Sequence, residues 1–205
     1  LARSTKAGAT SGQGEIRRLW PAERTLFIDH LLRLDVLTRR ERFGTAVNDD
    51  FLVNYAETTF GVGGLVYAYI EDGKVRGAAE LRGLEDIITQ TGEAAFSVEK
   101  AWRRQGIGEA LFTRLITASR NRGIRTLYMT CLPENGAMRR LARKFEAELI
   151  GGYNDVEGTI ATGGPTPFTV LDEAFDNAKG FATLALSLQR RFWRPAFFAR
   201  SSSRP

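Results

Sequence analysis

One cysteine, Cys131, and one histidine, His30, stand in the 205 residues of this chain. A lone thiol closes no internal disulfide, so nothing in the sequence asks for an oxidising compartment. One cysteine and one histidine argue against a His/Cys zinc cage, and no metal is expected. No apolar run reaches the roughly 18–20 residues that a membrane span needs. The first residues, Leu1 to Gln13, lack the apolar core of a secretory signal. Rich in Gly, Ser, Thr and Ala, they read as a flexible leader. No internal repeat is visible. These absences together lead to the expectation of a cytoplasmic protein.

The length suits one domain with a sizeable core and a small appendage. Twenty-nine Lys and Arg against 24 Asp and Glu leave a formal charge of +5. That charge fits an anionic cofactor, a nucleic acid or a plain solvated surface, and decides among none of them.

Periodicity then orders the chain. Glu15 to Trp20 reads as a short strand, and Pro21 suits the first turn of a helix. Leu26, Phe27, His30, Leu31, Leu34 and Leu37 recur at helical spacing, so one helix is expected through them. Asp49 and Asp50 stand where a cap belongs, before a second stripe of Phe51, Leu52, Tyr55 and Phe60. Leu65 to Glu71 and Val75 to Leu81 flank Asp72-Gly73, the pattern of a hairpin. Glu93 to Val98 is a further strand. Gly108 to Arg122 is an amphipathic helix with Gly123 at its end. Leu127 to Cys131 is a strand, and Pro133-Glu134-Asn135 opens a helix with Met138, Leu141, Ala142 and Phe145 inward. Glu148 to Tyr153 and Val156 to Ala161 finish as strands. The order is that of a mixed α/β (α+β) fold.

The run from Phe96 to Gly108 carries the most chemistry. A strand ends, a basic loop with two glycines follows, and a helix begins. The first amides of a helix have no internal partner, and the helix dipole adds positive charge there. Gly106 and Gly108 let an anion approach the main chain, so the run reads as a pyrophosphate cradle. A dinucleotide fingerprint would want a third glycine, and position 111 is Leu111.

Arg103-x-x-Gly106-x-Gly108 resembles the acetyl-CoA loop of the GNAT acetyltransferase superfamily. The resemblance extends over 14–161, with 1–13 as leader and 162–205 as linker, amphipathic helix and basic-aromatic tail. It implies a central mixed sheet of about six to seven strands with helices on both faces. It also implies two splayed parallel strands at the CoA site. Phe96, Ser97 and Val98 would flank the pantetheine arm, and Arg103, Arg104, Gln105, Gly106, Ile107 and Gly108 would meet the pyrophosphate. Asn135, at the start of the next helix, stands where superfamily members often place an Asn. It can equally be a simple cap.

Many small-molecule members carry a Tyr seven residues after that Asn, as the acid for the departing thiolate. Here that residue is Ala142. The stretch from Leu132 to Arg143 looks most like the catalytic domain of bacterial Pat-type protein lysine acetyltransferases. Those lack the Tyr and rely on a strand glutamate as base, and the matching position is Glu93. Arg40-Glu41-Arg42-Phe43 resembles an Arg-Phe element of the same group. The resemblance therefore implies transfer of an acetyl group from acetyl-CoA to an amine, on a protein lysine or a small molecule. A non-catalytic acyl-CoA sensor is the alternative.

An amine must lose a proton before it attacks, because lysine has a reference pKa of about 10.4. Glu93 shares its strand face with Ala95 and Ser97, a carboxylate beside small side chains. Glu80 and Glu85 are second choices. His30 and Cys131 read as core residues, Tyr153 as a core or edge tyrosine, and Arg139, Arg140 and Arg143 as a solvated helix face. Leu171 to Leu188 fits another helix. The basic-aromatic stretch from Arg190 to Arg200 reads as packing or a homodimer contact in preference to a nucleic-acid or membrane element.

Overall fold

The computed structural model describes residues 14–61, 64–83 and 90–192, the side chains of 186–192 excepted. The leader 1–13, Glu85 and the tail from Trp193 onward lie outside the described residues.

Strand alternation builds two cores on one sheet. In β2 (Leu65–Glu71), Val66, Ala68 and Ile70 face one side while Leu65 and Tyr67 face the other. The neighbours are β1 (Glu15–Leu19) and β3 (Lys74–Arg82), and Asp72-Gly73 closes the β2–β3 hairpin. β4 (Thr91–Val98), β5 (Thr126–Cys131), β6 (Glu148–Gly151) and β7 (Val156–Ala161) complete seven strands in the order β1-β2-β3-β4-β5-β7-β6. Every neighbouring pair is antiparallel except β4 and β5. The strand count and the parallel pair match the expected sheet.

One face is covered by α4 (Ile107–Asn121) and α5 (Gly136–Lys144). Phe112 is fully buried there, between Phe96 and Phe145 with ring centroids 4.7 and 4.5 Å away. Ile107 drives its side chain into this core beneath β3. A Cβ on Gly77 would lie 3.1 Å from its Cγ2, so that close approach needs the glycine. The other face is covered by α1 (Arg24–Arg33) and α3 (Asp49–Gly61), around Phe27, Leu31 and Leu52. The last helix, α6 (Pro167–Phe192), packs on β1 and α4.

Two local expectations are corrected. The first helical stripe is two helices, because Leu34 turns extended and α2 (Val36–Phe43) starts afresh behind Asp35. The Asp35 carboxylate accepts from the Thr38 amide at 3.0 Å, and an aspartate is worth more as a cap than inside a helix. The cap of α3 is Asn48, whose Oδ1 accepts from the Phe51 amide at 2.8 Å. Asp49 and Asp50 lie in the first turn instead, where their charge meets the positive end of the helix dipole. Among the described residues no helix is long and apolar enough to cross a membrane, and no cluster of His, Cys, Asp and Glu could hold a metal.

Candidate active site

The parallel ladder between β4 and β5 is three rungs long: Thr91 to Thr126, Gly92 to Leu127 and Glu93 to Tyr128. β4 then runs on to Val98 beside β3, and β5 to Cys131 beside β7. The two strands part just beyond Glu93. Their facing edges leave backbone donors and acceptors without a ladder partner, which is what an extended ligand needs to pair like an added strand. A cavity of about 690 Å³ occupies the wedge. Ala94, Ala95 and Phe96 line one arm, Thr130, Cys131 and Leu132 the other, with Glu93, Asn135 and Met138 also in its wall.

The start of α4 has the backbone form expected of an anion cradle. Gly106 caps the helix at φ +80°, and Arg104 before it is also left-handed at φ +62°. The first amide to close on backbone is that of Ala110, which donates to the Gly106 carbonyl at 3.0 Å. The amides of Ile107, Gly108 and Glu109 precede it and point out of the helix end. A Cβ built on Gly106 would meet nothing within 4 Å, so the space over the helix start is open. These features fit a CoA-type ligand, with its pyrophosphate on the amides and its arm along the parted edge of β4. Gly106→Val should raise the CoA dissociation constant at least tenfold in calorimetry. A β-branched residue resists positive φ, and relaxing the backbone turns the amides away from the anion.

The other site candidates separate by what their side chains touch. Arg104 and Gln105 are exposed on the loop, and Gln105 donates to the Ala101 carbonyl at 3.0 Å. The buried side chain of Ile107 leaves only its amide for a ligand. Arg103 turns back toward α2, donating to the Val98 carbonyl (3.1 Å), Thr38 Oγ1 (2.8 Å) and Glu41 Oε2 (3.0 Å). Its guanidinium thus ties the loop to α2. Asn135 caps α5, accepting from the Met138 amide at 3.0 Å, and also lines the cavity. The cap is thus in place, and the side of Asn135 toward the cavity is open to a ligand. Ala142 is 1 % exposed in the core and takes no part in the cavity wall. Cys131 is buried, which pushes its thiol pKa up. Tyr153 is 99 % exposed in the β6–β7 loop, so neither the core nor an edge contact explains it.

Glu93 is exposed to the cavity at the last rung, on the sheet face that carries Ala95 and Ser97. Glu80 is wholly buried instead. It pairs with Arg42 at 2.7 Å and accepts from the Tyr55 hydroxyl at 2.6 Å. Arg42 also donates to the Tyr55 oxygen, and Arg82 reaches the same oxygen at 3.3 Å. Burial pushes the Tyr55 hydroxyl far above its ordinary pKa, and the Glu80 charge adds to this, so it stays a neutral donor. Burial works against the Arg42 charge, but Glu80 and Tyr55 outweigh it and hold it firmly protonated. Sequence reasoning did not assemble this knot. Its signal was Glu80 itself, a carboxylate inside an apolar strand, which needs a buried partner.

A second polar network holds the exit of β4. His30 is fully buried, with Nε2 2.9 Å from Ser97 Oγ and Nδ1 3.4 Å from Glu99 Oε1. A carboxylate only accepts, so Nδ1 carries the proton toward Glu99 and Nε2 accepts from Ser97. Ser97 therefore faces α1, and only its backbone remains for a ligand. Arg33 and Arg76 also donate to Glu99, at 2.9 and 3.0 Å. Burial lowers the His30 pKa from 6.5. For Glu99, burial acts upward, but the bonds from His30, Arg33 and Arg76 outweigh it and bring the carboxyl down from 4.5 to about 2.

Both folded values lie below the unfolded ones, so the folded state binds fewer protons through each window. The His30 contribution is complete above its unfolded 6.5 and shrinks below it; that of Glu99 is complete above 4.5 and is lost toward about 2. Urea unfolding at a series of pH values should show stability falling in these two stages. Glu99→Gln should remove the lower one.

The model of the Acetyltransferase (GNAT) family matches residues 28–146, more than half of the chain. No curated protein sequence matches. Several solved structures share the fold. The N-acetyltransferase from Staphylococcus aureus Mu50 is 19 % identical over 73 % of this chain and 99 % of its own, with a TM-score of 0.57. The GNAT domain of S. lividans PAT is 16 % identical over 72 % and 90 %, with a TM-score of 0.62. The paia N-acetyltransferase from Thermoplasma acidophilum, solved in complex with coenzyme A, is 13 % identical over 72 % and 98 %, with a TM-score of 0.54. Identities this low carry the fold alone, whereas the family match runs from within the first helix through the parting strands and the start of α4: the chain belongs to the GNAT acetyltransferase family.

Proposed function

We propose that the protein transfers an acetyl group from acetyl-CoA to an amine, by direct attack on the thioester, with a protein lysine favoured over a small amine as acceptor. One observation carries this reading. The β4–β5 ladder stops at Glu93, so the strands part where a carboxylate faces the cavity. A relative solved with coenzyme A supports the donor. The acceptor rests on Ala142 in place of the tyrosine, on the Pat-like stretch from Leu132 to Arg143, and on the fold likeness to the S. lividans PAT domain.

Acetyl-CoA supplies the activated acyl group. The amides at the start of α4 hold the pyrophosphate, and the free edge of β4 from Ala94 to Val98 orients the arm. Glu93 takes the proton from the acceptor ammonium, directly or through one water. Asn135 fixes α5 and closes the far wall.

The test is free-thiol release from acetyl-CoA with lysine peptides and small amines. Release that depends on the amine supports the enzyme. Tight CoA binding with no release on any amine would instead favour an acyl-CoA sensor.

A further inference from the structure

We infer that the acceptor side of this cavity recognises a carboxylate carried close to the target amine, through Arg42 and Arg82. The inference rests on the proposed acetyl transfer and names its acceptor more narrowly. Arg42 lines the cavity, yet its side chain is only 9 % exposed. Its Nη2 serves Glu80 and Tyr55, while its Nε is buried with no hydrogen-bond partner among the described residues. A buried donor left unmade is costly, and an incoming anion toward which the Arg42 side chain shifts would remove that cost. Arg82 lines the same wall, with its guanidinium 5.0 Å from the Tyr55 ring centre. The two arginines converge on Tyr55, and among the described residues Glu80 pairs with Arg42.

Among the described residues three further carboxylates line the cavity: Glu41, Glu93 and Asp155. Glu41 is paired with Arg103 at 3.0 Å, and Asp155 comes from the β6–β7 loop. Glu93 is the direct cross-strand neighbour of Arg82. Side chains opposed in this way stand roughly 5 Å apart at Cβ, so a proton acceptor and a carboxylate receptor sit side by side. In the same cavity lining Phe43, Phe51 and Tyr55 pack edge-on and stacked, an apolar wall for an alkyl stem. Together these groups fit an alkyl amine bearing a nearby carboxylate. The carboxylate can belong to a small molecule or to an acidic residue beside a lysine in a peptide.

The experiment uses matched acceptors and the full chain with acetyl-CoA, reading thiol release. One pair is Nα-acetyl-lysine and Nα-acetyl-lysine amide; the other is a capped peptide with Lys-Glu and the same peptide with Lys-Gln. The carboxylate member of at least one pair should show kcat/KM about tenfold or more above its partner, carried by KM. The pair that discriminates identifies the source. Arg82→Gln should reduce the ratio to within about twofold. Arg42→Lys keeps the charge beside Glu80 but removes Nε and the planar fork, and should weaken the preference as well. Equal kcat/KM within both pairs, or a ratio untouched by either variant, overturns the inference. If no acceptor releases thiol, the catalytic reading fails, and calorimetry on the CoA-loaded protein still decides this one. Tighter binding of Nα-acetyl-lysine than of its amide, lost in Arg82→Gln, supports it; equal binding overturns it.

Discussion

Glu93→Gln should lower kcat by about 10²–10⁴-fold while leaving the KM for acetyl-CoA within about twofold. The amide nearly matches the carboxylate in size, so the cavity keeps its shape and loses only its proton acceptor. The α4 cradle belongs to a separate element and should bind the donor as before. Glu93→Asp should keep a proton acceptor in the cavity and lose only part of the rate. The competing account makes Glu93 a solvated side chain at the end of a short ladder, and its exposure alone would allow that. An unchanged kcat in Glu93→Gln, at amine concentrations that saturate the wild type, would establish that account and remove the base.

Glu80→Ala should destabilise the fold by about 3–5 kcal/mol, read as a lowered urea midpoint. The substitution leaves Arg42 charged, 9 % exposed and without its carboxylate, and it takes the acceptor from the Tyr55 hydroxyl. Stranding one partner of a buried pair is far more damaging than replacing both. The double variant Glu80→Leu with Arg42→Met should therefore recover much of the loss. The same experiment separates the two strand glutamates. If Glu80 were the base, its removal would abolish turnover in a protein of undiminished stability. A positioning role predicts the reverse, a large loss of stability with turnover surviving in whatever remains folded.

The elements legible in the sequence are those whose signal is local. Alternation in Leu65–Glu71, the Asp72-Gly73 turn and the stripe from Leu111 to Ala118 each lie within a few residues, and each emerges as expected. The α4 cradle was legible because glycines at Gly106 and Gly108 precede an amphipathic helix. What escaped was decided by competition or by distance. The apolar period runs through Leu34, but Asp35 is a better cap than a helix-interior residue, and the cap wins. Asn48 took the capping place from Asp49 by a single position, a choice that only backbone geometry makes. The knot of Arg42, Tyr55 and Glu80 joins residues 13, 25 and 38 positions apart, drawn from three elements that meet only through the tertiary fold. Ser97 and Arg103 lie in the right segment, yet their side chains are claimed by His30 and by α2.

The most direct test of the central claim is amide hydrogen exchange with and without saturating CoA. The account predicts slowed exchange in two segments: the start of α4 and its preceding loop, from Arg104 to Glu109, and the free edge of β4, from Ala94 to Val98. Protection confined to other parts of the chain, with these two segments unchanged, would contradict it.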